Sequence, residues 1–190
     1  MDFGKLLKSA WDLFIKEIVH LVLFFLVGVL LCFTVILIPT VSGGWARGLL
    51  GYAREGKRPD FNLLWDFEGY LQILLLLLVG GFLVSLGLML LVVPGVVLSV
   101  WWLYGIYFVV DRKLGFWEAM SASREAVGRT GFLNHLGVLL ILVILNSLGG
   151  ALSGLGTLLT SPFTFLLLTL AYVQLQGSGA EGQGVPQPLA

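Results

Sequence analysis

LQILLLLLVGGFLVSLGLMLLVVPGVVLSVWWLYGIYFVV, residues 71–110, runs for about forty residues without one Asp, Glu, Lys or Arg. At ~1.5 Å per residue a helix of that length reaches ~60 Å, about twice the ~30 Å hydrocarbon core of a bilayer. The run is dense in Leu and shows no period-two alternation of apolar and polar residues, which argues against a β-barrel. Helices satisfy their own backbone groups in hydrocarbon. The Pro94-Gly95 pair falls inside the run and supplies a turn. The stretch therefore predicts two membrane helices joined as a hairpin.

Two further blocks, residues 18–46 and 132–175, have the same character. Each is too long for one crossing and about right for two. Their breakers are Pro39-Thr40 and Gly149-Gly150, the latter followed by Ser153-Gly154. All 11 Lys and Arg residues lie outside the apolar runs, in islands at residues 2–17, 47–68 and 111–129. Six crossings place every island and both chain ends on one side, which the bias of basic residues makes cytoplasmic. Five crossings would carry one basic island to the other side.

Composition agrees. Of 190 residues, 58% are hydrophobic and 12% charged, with mean hydropathy +0.98, where soluble domains carry roughly a quarter charged residues. Zero net charge gives no bulk attraction to nucleic acid. The single cysteine, Cys32, permits no disulfide within the chain and reads as a small buried hydrophobe. The first apolar run follows a charged stretch reaching Glu17 and lacks a small-residue cleavage site, so it reads as a retained first span.

An amphipathic stretch precedes each block. Phe3, Leu6, Leu7, Ala10, Trp11 and Phe14 share one helical face, opposite Lys5, Lys8, Asp12 and Lys16. Pro59-Asp60 opens a second stretch with Phe61, Leu64, Trp65 and Glu68, and Phe116, Met120, Ser123 and Val127 align in a third. Trp11, Trp65 and Trp117 fall where indoles meet lipid headgroups. Pro39 to Pro94 and Pro94 to Gly149 are each 55 residues. The expected fold is thus all-α and membrane-integral, with six segments as three hairpins, each preceded by an interfacial helix, in a possible three-fold pseudo-repeat. The units are residues 1–56, 57–114 and 115–176 of one transmembrane domain, followed by a flexible tail at 177–190 rich in Gly, Gln and Pro. The second segment, residues 41–55, is the weak one: short, Gly-rich and carrying Arg47, it must be shielded, tilted or re-entrant.

Arg47 is the leading site candidate. Counted from Pro39 it falls near mid-membrane, where a charge costs ~3 kcal/mol or more and calls for a partner or a wet cavity; Asp111 and Glu118 are the candidate partners. The alternative has Arg47 snorkelling to the headgroups. Gly44-x-x-x-Gly48 and Gly150-x-x-x-Gly154 carry the spacing of close helix packing, within one protomer or between copies. Pro39, Pro94, Gly95 and Pro162 are hinge or kink positions; Ser161, Thr160 and Thr164 flank Pro162 and can bond carbonyls it frees. His20 and His135 read as interfacial residues rather than ligands, and no metal or cofactor is expected. No hydrolase, zinc-protease or nucleotide-binding motif occurs, which argues against an enzyme.

VPGVVLSVWWLY followed by DRKLGFWEAMSASR resembles a broad group of bacterial polytopic membrane proteins, similar to the membrane domain attached to some glycerophosphoryl diester phosphodiesterases. The likeness lies in Pro94, Gly95, Trp101, Asp111, Glu118, Ala119, Ser123 and Arg124 and is densest over residues 90–130. It implies a six-span fold in the bacterial cytoplasmic membrane and carries no activity, the phosphodiesterase domain having no counterpart here. Asp111, Arg112, Glu118, Ser123 and Arg124 would form a polar latch tying the fourth segment to the following interfacial helix. Two functions stay open: a small transporter, channel or lipid-handling protein, or a non-conducting scaffold or accessory subunit. The partners expected are the lipid bilayer and a second copy or another membrane protein, with no nucleic acid.

Overall fold

A computed structural model describes residues 3–32, 37–151 and 155–180. Among the described residues the regular structure is all helical, with no strand. The helices are α1 (Phe3–Lys16), α2 (Ile18–Cys32), α3 (Ile38–Glu55), α4 (Tyr70–Leu75), α5 (Gly81–Leu90), α6 (Val92–Trp101), α7 (Gly105–Arg112), α8 (Phe116–Thr130), α9 (Phe132–Ala151) and α10 (Leu155–Ala180). A 3₁₀ turn, Phe61–Trp65, precedes α4, and a π-helical turn, Leu76–Gly80, joins α4 to α5. Four helical runs are long and apolar enough to cross a membrane: Tyr70–Leu90, Val92–Arg112, Phe132–Ala151 and Gly156–Gly177. The first and third are 22% buried and the last 50%, so the last run is central and the other two form the outer wall.

α3 is the other central element. It packs against α2, the 3₁₀ turn, α4, α7 and α10. Glycines make this possible. A Cβ on Gly44 would stand 2.3 Å from the carbonyl oxygen of Leu63, and one on Gly48 would stand 3.0 Å from the Phe24 ring and from Pro59. Gly44 and Gly48 therefore serve packing inside the chain. Gly149 lies against Thr160, bringing α9 onto α10, whereas a Cβ on exposed Gly150 would meet nothing within 4 Å. Gly154 and Ser153 lie outside the described residues, as do the side chain of Cys32 and residues 181–190 of the expected tail.

Several expectations change. The hairpin of residues 71–110 turns at Leu91, which is extended (φ −155°, ψ 132°), not at Pro94-Gly95. Pro94 is the third residue of α6, where the first-turn N–H groups have no intrahelical acceptor and its missing proton is harmless. Gly95 lets the backbones close: a Cβ there would come within 2.5 Å of the Leu88 nitrogen. Pro39 likewise sits in the first turn of α3. α10 runs unbroken through Pro162 and continues to Ala180, into the expected tail. The stretch after Pro59 is a single 3₁₀ turn and no helix, so the second unit departs from the first and third.

α1 and α8 are amphipathic helices. Leu6, Ala10 and Phe14 of α1 are buried, Phe14 meeting the edge of Phe163 at 5.6 Å. Leu7, Trp11 and Ile15 form a second apolar stripe that stays exposed. Trp65 and Trp117 are exposed as well.

Candidate functional site

Arg47 does not meet Asp111 or Glu118. Its Nη1 donates to Asp66 Oδ2 at 3.0 Å and its Nη2 donates to the Glu68 carbonyl. The charge is enclosed, with 14% of the side chain exposed. α3 presents Arg47 one turn beyond Gly43 and Gly44, where the absent side chains let the loop ahead of α4 approach. Counting from Pro39 could not show that residues 66–68 fold back to Arg47. Beside it, Arg47, Glu68, Gly69, Gln72, Val109 and Lys113 line a cavity of about 90 Å³. Lys113 Nζ lies 2.7 Å from Glu68 Oε1, and that carboxylate holds the exposed ammonium above its ordinary pKa.

Asp111 belongs to a second cluster. Arg54 grips it with both nitrogens, Nη1 to Oδ1 at 2.5 Å and Nη2 to Oδ2 at 2.9 Å. Tyr172 Oη and Gln176 Nε2 donate to Oδ2 at 3.0 and 2.9 Å, and Gln176 Nε2 also donates to Tyr172 Oη. A bidentate pair of this kind fixes orientation as well as distance. One carboxylate thereby ties α3, α7 and α10 together. Below it Tyr172 stacks on Tyr107 at 5.1 Å, and Tyr107 Oη shares a hydrogen bond with Thr169. Arg54, Tyr172 and Gln176 were invisible as a set, because they lie 57 to 65 residues from Asp111.

The third cluster is built around a break. The run Val92–Arg112 unwinds at residues 102–104. Buried Ser123 of α8 fills the gap: its hydroxyl donates to the Trp101 carbonyl at 2.7 Å and accepts from the Tyr104 N–H at 3.3 Å. Arg124 lies over the Trp101 ring at 4.6 Å. Tyr104 Oη meets His135 Nδ1 at 2.9 Å, and His135 Nε2 meets Thr130 Oγ1 at 2.6 Å. His135, in the first turn of α9, is fully buried in the protein; half-buried His20 bonds the Pro59 carbonyl.

The expected latch is therefore redistributed. Ser123 and Arg124 do bind the segment ahead of α8. Arg112 instead stacks over Phe108 at 5.4 Å, and Glu118 accepts from the Gly115 N–H at the start of its own helix. Among the described residues no three of His, Cys, Asp and Glu converge as metal ligands. Replacing Ser123 with Ala strands a carbonyl and an N–H that nothing else near the break bonds, at ~1–3 kcal/mol for an unsatisfied buried group. We expect Ser123→Ala to lower the thermal midpoint in detergent clearly, while Ser121→Ala, on the exposed side of α8, leaves it unchanged.

Comparison with known protein families, with curated proteins and with solved structures finds no match to this chain.

Proposed function

We propose that this chain is an integral membrane protein of six apolar segments in three hairpins, its charged side and both ends cytoplasmic, acting as a non-conducting scaffold or accessory subunit. The observation that carries this reading is the pairing of Arg47 within its own chain. A cation serving a passage needs exchangeable partners, whereas Arg47 is bonded to Asp66 and to the Glu68 carbonyl of its own chain. The threonines around Pro162 in α10 are turned to their own helix as well. Thr160, Thr164 and Thr169 donate to carbonyls of their own helix. The work would then fall to the outward apolar faces, such as Leu133, Leu140, Ile144 and Leu148 of α9, packing against a membrane partner or a second copy. Four helical runs long and apolar enough to cross a membrane support the membrane part of this reading.

Purified protein in liposomes tests this. We expect ion and small-solute flux no greater than in empty liposomes, and no change with Arg47→Gln or Arg47→Lys. Arg47→Gln should lower thermal stability, with Arg47→Lys falling between. Flux that Arg47→Gln abolishes and Arg47→Lys retains would overturn the scaffold reading.

A further inference from the structure

We infer that the cavity between α6 and α8 is a binding site for the head group of an anionic phospholipid. Trp117, Ser121 and Arg124 stand at i, i+4 and i+7 on α8 and line one side; Leu98 and Trp101 of α6, with Trp102 at the start of the break that follows it, line the other. Met120 also lines the cavity, which holds about 150 Å³, room for a phosphoglycerol head but not for acyl chains.

The chemistry of the walls selects the ligand. Three indoles alone would suit a quaternary ammonium ion. Arg124 reverses that preference, because its charge sits in the same cavity. Its guanidinium carbon lies 4.6 Å from the centre of the Trp101 ring, a cation–π contact, and among the described residues no ion pair engages it. The neighbouring Glu125 turns to Arg129 instead. A cation–π contact uses none of the guanidinium N–H groups as hydrogen-bond donors to an anion, and a guanidinium can grip a phosphate with two parallel bonds. Ser121 adds a hydroxyl on the same stripe. On the other wall, Leu98 lies one turn of α6 nearer the apolar hairpin tip, so the chains of a lipid would leave the cavity on that side. Exposed Trp117 suits the headgroup level.

This inference rests on the reading of the chain as membrane-embedded, though not on whether it conducts. The full chain, purified in neutral detergent, is titrated with phosphatidylglycerol, with phosphatidylcholine and with inorganic phosphate, and bound molecules are counted by native mass spectrometry. We expect one phosphatidylglycerol bound about tenfold more weakly by Arg124→Gln, a loss typical of a charge-assisted contact. Arg124→Lys should recover part of it, and Ser121→Ala should weaken binding with folding intact. Equal retention of phosphatidylglycerol by wild type and Arg124→Gln, or of phosphatidylcholine and phosphatidylglycerol by the wild type, would sink the inference. Displacement of the lipid by inorganic phosphate at comparable concentration would also sink it, assigning the cavity to a free phosphate group. Release of the chain from membranes by alkaline carbonate would defeat the embedded reading itself; retention with lipid binding independent of Arg124 defeats only this one.

Discussion

Gly44→Ala should be the most damaging single-methyl change in α3, costing about 3 kcal/mol, near the upper end for overpacking. The added carbon would lie 2.3 Å from the Leu63 carbonyl oxygen and 3.0 Å from the Leu64 Cα. Both are backbone atoms, so no rotamer change relieves the clash. α3 must retreat from the 3₁₀ turn, and Arg47 then loses its register with Asp66. Gly48→Ala meets the Phe24 ring and Pro59 at 3.0 Å, contacts that yield by a few tenths of an ångström, and should cost about 1 kcal/mol. Gly51 has nothing within 4 Å; its replacement by Ala should stabilise by up to about 1 kcal/mol through helix propensity alone. Thermal unfolding in one detergent ranks the three, and a Gly44→Ala protein as stable as Gly51→Ala would show that the contact with Leu63 is not made.

Asp111→Ala should cost about 2–3 kcal/mol. Removing one member of a fully buried pair costs ~3–5 kcal/mol; here the Arg54 and Asp111 side chains are 32% and 16% exposed, and water compensates in part. The loss exceeds that of an ordinary surface pair because Tyr172 and Gln176 lose their acceptor together with Arg54. Arg54→Gln and Asp111→Asn, combined in a double-mutant cycle, should show a coupling of about 1–3 kcal/mol. Strict additivity of the two losses would mean that the bidentate pair contributes nothing to holding α3 on α7.

Hydropathy made the segments legible because burial in an apolar surrounding is written locally, residue by residue. Residues 71–110, 132–151 and 156–177 needed nothing more. Amphipathic spacing similarly marked Leu6, Ala10 and Phe14 of α1 and Met120, Ser123 and Val127 of α8, all buried, though it grouped exposed Leu7 and Trp11 with the former. What escaped was pairing between distant residues. Asp111 invited Arg47 as partner because both looked charged and embedded, yet the chain offered Arg54 two turns along α3 and Asp66 in the next loop, and only the packing of α3 decides between them. The turn at Leu91 escaped for another reason. Proline and glycine mark where a helix tolerates a start or a close approach, and here both lie just after the turn. The break at residues 102–104 had no local signal, being held open by a serine on the following helix.

The tip of the α5–α6 hairpin has a consequence for how such a chain enters lipid. Met89, Leu90, Leu91, Val92 and Val93 are all exposed, between 67% and 88%, and no ionised group occurs anywhere from residue 69 to 110. Pushing this hairpin into a bilayer drags no charge and no hydrophilic loop across the hydrocarbon. In a bilayer the two arms could therefore go in together, tip first, with no solvated passenger setting the barrier.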